Sequence, residues 1–195
     1  MVVLRTSRLT LEPITLPMVE AVMLGRREDA ERVAEARLPE AWPNRALIER
    51  AYTASLDEIR ADPETRLWGD RLMIVTEAGG ARRVVGSIVF HGRPDAEGIA
   101  EVAYGVEESS RGQGLATEAT GACVGWALEQ EGVAAVRATT HPWHLASLRV
   151  IQKIGMTQVG TREHELLGEL LVFEARRAHF GAHVSAQGES QVTSR

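Results

Sequence analysis

Between residues 99 and 130 the hydrophobic period of the chain changes from two to about 3.6, and the change passes through a glycine-rich turn. Ile99 to Val106 alternates, with Val102, Tyr104 and Val106 on one face and Ile99, Glu101 and Ala103 on the other, as in a half-buried strand. Leu115, Ala119, Ala122 and Trp126 then recur at helical spacing, with Cys123 and Ala127 on the shoulder of that stripe, which predicts an amphipathic helix from Gly112 to about Gln130. The connection is Ser109-Ser110-Arg111-Gly112-Gln113-Gly114-Leu115-Ala116-Thr117-Glu118. The first amides of a helix have no carbonyl partner and carry the positive end of its dipole, so this turn suits an anion such as a diphosphate. Gly112 and Gly114 permit close backbone approach, and Arg111 can add a charge-assisted contact. The competing reading is a tight connection and nothing more.

The rest of the chain reads as α/β. Leu9 to Ile14 is a short alternating strand that stops near Pro13, which lacks an amide donor. Helical patterns run from Pro17 to about Arg37 and from Asn44 to about Ala61, separated by a loop at Leu38 to Pro43. Arg71 to Thr76 and Val84 to His91 form a hairpin across Glu77-Ala78-Gly79-Gly80-Ala81, and Ile99 to Val106 is the next antiparallel strand. After the central helix come a strand at Val133 to Thr140, a helix at Ala146 to Lys153 ended by Gly155, and strands at Met156 to Thr161 and Glu165 to Ala175. From Ala178 onward periodicity is lost, so residues 1–177 are expected to be one domain and 178–195 a disordered tail.

Composition narrows the function. With 195 residues and 44% hydrophobic content the chain can bury a core without a metal or disulfide staple. Its 22 Lys and Arg against 27 Asp and Glu give a net charge of −5, which disfavours nucleic acid as a partner. One cysteine excludes an intramolecular disulfide and a cysteine-built metal site, and no apolar run approaches the roughly 18 residues of a membrane span. A cytoplasmic protein without membrane contact is expected. A P-loop would need Lys followed by Ser or Thr after the second glycine, and neither follows Gly114. A dinucleotide fingerprint would need glycine where Thr117 stands and an acidic residue after the next strand, which ends Ala138-Thr139-Thr140.

Arg111-Gly112-Gln113-Gly114-Leu115-Ala116 resembles the R/Q-x-x-G-x-G/A signature of the GNAT superfamily, the acetyl-CoA-dependent N-acetyltransferases. Glu101-Val102-Ala103-Tyr104-Gly105-Val106 is similar to the E-I-G-Y-x-V strand of its RimJ/RimL-like branch, which acetylates ribosomal-protein alanine and serine termini. Ala146-Ser147-Leu148-Arg149-Val150-Ile151-Gln152-Lys153-Ile154-Gly155-Met156 resembles the same branch's A-S-x-R-V-L-E-K-x-G-F segment. The resemblance spans about residues 4 to 177. It implies a GNAT fold, a mixed and mostly antiparallel sheet of about seven strands flanked by helices, and transfer of acetyl from acetyl-CoA to a primary amine in a ternary complex. The acceptor would be a protein N-terminus or a small molecule. A homodimer is implied by resemblance alone.

The resemblance also assigns roles. Arg111, Gly112, Gln113, Gly114, Leu115, Ala116 and Thr117 would hold the CoA diphosphate, and the backbone at Tyr104 and Val106 the thioester and pantetheine. His144 stands where the family usually has an asparagine near the pantetheine. Ile151 stands where many members have a tyrosine acid; the RimJ/RimL-like branch often has a serine nearby that maps to Ser147, which the resemblance implies as the candidate acid, with a helix cap or a small buried residue as its alternative. Glu101 is the candidate general base, against a merely cross-strand-paired carboxylate, and Glu97 is second to it. Trp42, Trp68 and Asp70, read as loop residues, are weaker candidates for lining an amine pocket, against covering the core edge. His141 and His144 have a metal-like spacing but no third ligand at a recognisable distance in sequence, so no metal is expected. The alternative function is an acyl-CoA-binding sensor that does not turn over.

Overall fold

Strand alternation and turn glycines build the first of two compact units, Met1–Arg93 with Ala103–Ala122. The computed structural model describes residues 2–41, 55–178 and 180. In this unit β1 (Leu4–Arg5), β2 (Thr10–Pro13), β3 (Arg71–Thr76) and β4 (Arg82–Phe90) pair antiparallel in succession, with Leu4 opposite Leu11, Leu11 opposite Met73, and Met73 opposite Gly86. The β3–β4 turn works because Gly79 and Gly80 take positive φ, 94° and 85°. A single helix expected from Pro17 to Arg37 is two, α1 (Leu16–Met23) and α2 (Arg27–Ala34), because Gly25 turns left-handed at φ 69° between them. Their apolar stripes, with Met18, Val19, Ala30 and Ala34, pack on Leu72, Ile74 and Val84 of the sheet. Of the second expected helix the described part is α3 (Leu56–Ala61), opened by a capping box between Ser55 and Glu58 and followed by α4 (Pro63–Arg66).

The second unit is Pro94–Val102 with Cys123–Arg195. Here the first residues of β5 (Ile99–Val106) run parallel to β6 (Ala135–Thr140), and β8 (Gly168–Ala175) lies antiparallel between β6 and β7 (Thr157–His164). The last two strands are shifted from the expected bounds because residues 165–167 make the turn that was assigned to strand. Strand order is β1-β2-β3-β4-β5-β6-β8-β7, a mixed and mostly antiparallel sheet of eight strands. The strand beyond the seven expected is β1, two residues long and too short to show a period. Helix α5 (Leu115–Glu129) buries Ala119, Cys123, Val124 and Ala127, and α6 (Leu145–Lys153) buries Ile151. Ala178 and Phe180, assigned to the tail by sequence, are helical, and Phe180 is 7% exposed beside Gly125. Among the described residues no helix is long and apolar enough to cross a membrane.

Candidate active site

In the first unit the approach to the glycine turn is set by Glu107. Its backbone N–H donates to the Val85 carbonyl at 2.9 Å, and its carboxylate accepts from Ser109 N–H (3.1 Å), Ser109 Oγ (2.6 Å), Ser110 Oγ and Arg83 Nη1 (2.8 Å). Burial opposes ionisation of Glu107, yet the hydroxyl, amide and guanidinium donors outweigh it and hold its pKa down to about 2. The 3-10 turn at Glu108–Ser110 is thereby fixed, and the chain passes through Gly112 (φ 76°) and Gly114 (φ 79°) into α5. Glu118 N–H closes the first helical turn on the Gly114 carbonyl at 3.1 Å, so the amides of Leu115, Ala116 and Thr117 form the open end of the helix. A Cβ on Gly112 would meet nothing within 4 Å, so its side of the turn is open for a ligand to approach. Arg111 is exposed and donates Nε–H to the Val106 carbonyl at 3.0 Å.

Tyr104 and Val106 are half-buried on the part of β5 leading to this turn. Gly86, on β4, was not singled out by sequence: a Cβ there would lie 2.2 Å from the Gly105 carbonyl oxygen, so only glycine lets the two backbones approach. Arg8 and Glu118 were also missed. Their partnership joins the β1–β2 turn to the start of α5, with Arg8 Nη2 2.6 Å from the Glu118 carboxylate.

The second unit contains the candidate acid and base. Glu101 sits opposite Arg137 on the last rung of the parallel ladder, beyond which β6 continues to Thr140 paired with β8. Thr139 Oγ1 donates to Glu101 Oε1 at 2.9 Å, and Arg162 Nη2 is 3.9 Å from the same oxygen. The Glu101 side chain is 23% exposed, so it is open to water or an amine. Arg137 is engaged elsewhere, with Glu174 at 2.7 Å. Glu97 is exposed in the turn that Asp95 caps. Ser147 is half-buried as the third residue of α6, and His144, exposed, is the N-cap with no side-chain cap bond. The helix-cap alternative for Ser147 therefore gives way: the cap position is three residues earlier.

The amine-pocket candidates fare differently. Trp42 lies outside the described residues. Trp68 packs edge-on against Phe90, ring centroids 5.1 Å apart, as a core-edge cover would. Asp70 lies in a loop, as read, but its side chain is buried, 1% exposed, rather than lining an open pocket, with Oδ1 accepting the Phe90 N–H at 2.6 Å. Its burial raises the carboxyl well above the usual range, against the pull of the Phe90 hydrogen bond and the Arg71 charge. Among the described residues no three His, Cys, Asp or Glu side chains come together as metal ligands.

This arrangement, a mixed sheet whose fifth strand passes through paired glycines into an open helix end, coincides with a known family. The model of the acetyltransferase (GNAT) domain matches residues 8–157. The chain belongs to the GNAT acetyltransferase family and is an acyltransferase enzyme. It is 28% identical over 157 residues to the uncharacterized N-acetyltransferase YjdG of Bacillus subtilis (strain 168), covering 80% of this chain and 89% of that protein. Among solved structures, RimJ of Mycobacterium smegmatis in complex with CoA-disulfide superimposes with a TM-score of 0.60 at 18% identity, over 92% of this chain and 89% of RimJ. The ribosomal-protein-S5-alanine acetyltransferase of Vibrio fischeri gives 0.59 at 12% identity, over 92% and 99%.

Proposed function

We propose that the protein transfers the acetyl group of acetyl-CoA to a primary amine, with the CoA diphosphate on the Arg111–Thr117 turn and Glu101 as general base. The observation that carries this reading is the pair of left-handed glycines opening α5 with the side of Gly112 clear. The residues fit the donor: helix amides and Arg111 answer the diphosphate, and the backbone at Tyr104 and Val106 answers the pantetheine and thioester, while His144 occupies the position of the family's pantetheine-side asparagine by motif. Bound acetyl-CoA supplies an activated acyl carbon. The amine nitrogen bonds to that carbon as the C–S bond breaks; Glu101, directly or through a water, takes the ammonium proton, and Ser147 returns a proton to the thiolate.

Only a neutral amine attacks. At pH 7 an unperturbed lysine amine is neutral about once in 2,500 molecules and an α-amine about once in 7, so one carboxylate suffices more readily for an N-terminal acceptor. The V. fischeri neighbour, a ribosomal-protein-S5-alanine acetyltransferase, supports an acceptor on a protein.

The test is thermal unfolding with and without acetyl-CoA at 100 times its Kd, where binding adds about 2.7 kcal/mol, or roughly 5–10 °C for a chain of this size. Gly114→Glu, which forces a charged side chain into a left-handed position, should abolish the shift. Release of CoA thiol that depends on an added peptide α-amine then separates an enzyme from a binding-only protein. Absence of a shift in the unaltered protein sinks the proposal.

A further inference from the structure

Glu118 stands in the first turn of α5, where a carboxylate would complement the helix dipole. Here both its oxygens are taken by a segment 110 residues earlier in the chain. Oε1 accepts from Thr6 Oγ1 (2.6 Å), Ser7 Oγ (3.0 Å) and the Arg8 N–H (2.9 Å), and Oε2 from Arg8 Nε (2.7 Å). Burial opposes the charge on Glu118, but these donors outweigh it and hold its pKa below the ordinary glutamate value. Arg8 therefore meets a standing negative charge, and its fork is oriented by it. The remaining arm, Nη1, donates to the Gln113 carbonyl at 2.8 Å, inside the glycine turn. Nη2 lies 3.5 Å from where a Cβ on Gly114 would be, so the guanidinium rests on the Gln113–Gly114 peptide.

A trans peptide is planar, and its C=O and N–H point opposite ways. Holding the Gln113 oxygen on Arg8 thus aims the Gly114 N–H away from Arg8. Left alone, this peptide is able to flip, because glycine at 114 tolerates either sign of φ. We infer that Arg8, oriented by Glu118, is a positioning residue that selects the Gln113–Gly114 peptide orientation in which the turn's amides converge on the diphosphate. The inference rests on the reading of that turn as the CoA diphosphate site. It assigns Arg8 no attraction for the ligand, since Glu118 balances its charge.

The experiment compares two acyl donors, acetyl-CoA and S-acetylpantetheine, which carries the thioester but no diphosphate. Arg8→Lys keeps a charge for Glu118 but lacks the rigid fork needed to reach the Gln113 carbonyl at the same time. Arg8→Ala removes both links. For each variant Kd, KM and kcat are measured with either donor, alongside circular dichroism and Tm. The expected result is a rise of roughly 10- to 100-fold in Kd and KM for acetyl-CoA in both variants, the worth of one charge-assisted hydrogen bond. Saturated kcat should change less than about threefold, and S-acetylpantetheine KM should not move. Equal losses with both donors, or an unchanged acetyl-CoA Kd in Arg8→Lys, overturn the inference. Should Arg8→Ala fail to fold, the lysine variant decides it. If the unaltered protein binds no acetyl-CoA, the diphosphate reading itself falls, an outcome distinct from unaltered binding that Arg8→Lys leaves unchanged.

Discussion

Around the glycine turn the carboxylates are saturated with donors; around β6 the candidate base is not. Glu107 and Glu118 each accept hydroxyl, backbone amide and guanidinium hydrogen bonds, and both are held ionised below the ordinary glutamate range. Glu101 accepts from Thr139 at 2.9 Å and lies at 3.9 Å from Arg162, beyond direct hydrogen-bond reach. The difference matches two kinds of work. A carboxylate that fixes a loop should keep one charge state under every condition, and surplus donors achieve that. A carboxylate that takes and returns a proton must tolerate both states, which a crowded donor shell would prevent.

The largest effect should come from breaking the sparse side of this contrast. Glu101→Gln is nearly isosteric and can still accept from Thr139, but cannot take a proton. It is expected to lower kcat/KM by about 10²- to 10⁴-fold and remove the acidic limb of the pH–rate profile, with acetyl-CoA Kd unchanged. Equal turnover in the variant would reduce Glu101 to a cross-strand partner and dissolve the comparison.

On the crowded side the expected effect is on stability. Glu107 has a folded pKa of about 2 against an ordinary 4.5, so its stabilisation is complete above about pH 4.5 and is lost as pH falls toward 2. After allowance for solvent screening, Glu107→Gln should cost about 2 kcal/mol at pH 7, roughly 4–8 °C in Tm. Its Tm should also fall less steeply than that of the unaltered protein between about pH 5 and 2, so that the two curves converge in acid. Parallel curves would mean that Glu107 is not held ionised by its donors.

The smallest effect sharpens the assignment of the acid. Ser147→Ala removes a half-buried hydroxyl inside α6, at a position of good alanine propensity. Turnover should fall by about 10-fold if that hydroxyl reprotonates the thiolate, within the lower range of general-acid contributions. Retention of full kcat removes Ser147 from the mechanism and leaves water as the proton source.

Legibility in the sequence followed the range of the interactions. The hairpin at Gly79-Gly80, the strand from Ile99 to Val106 and the turn from Arg111 to Thr117 were each written within ten or so residues, where backbone periodicity and glycine conformations act. The break at Gly25 was missed because one glycine inside a helical pattern is ordinarily tolerated. The burial of Asp70 within its loop is not legible because neither its neighbours nor its charge reveal that the Phe90 amide, twenty positions on, needs an acceptor.

By itself the sequence determined that this chain is an α/β protein with a glycine turn between a half-buried strand and an amphipathic helix, since period and glycine placement are local properties of the backbone. Tertiary structure alone decided which carboxylates are surrounded by donors and which one has few. Arg8 and Glu118 stand 110 residues apart and Glu101 and Thr139 stand 38 apart. No local pattern encodes such pairs, because hydrogen-bond partners are chosen by where the folded sheet brings two side chains within about 3 Å.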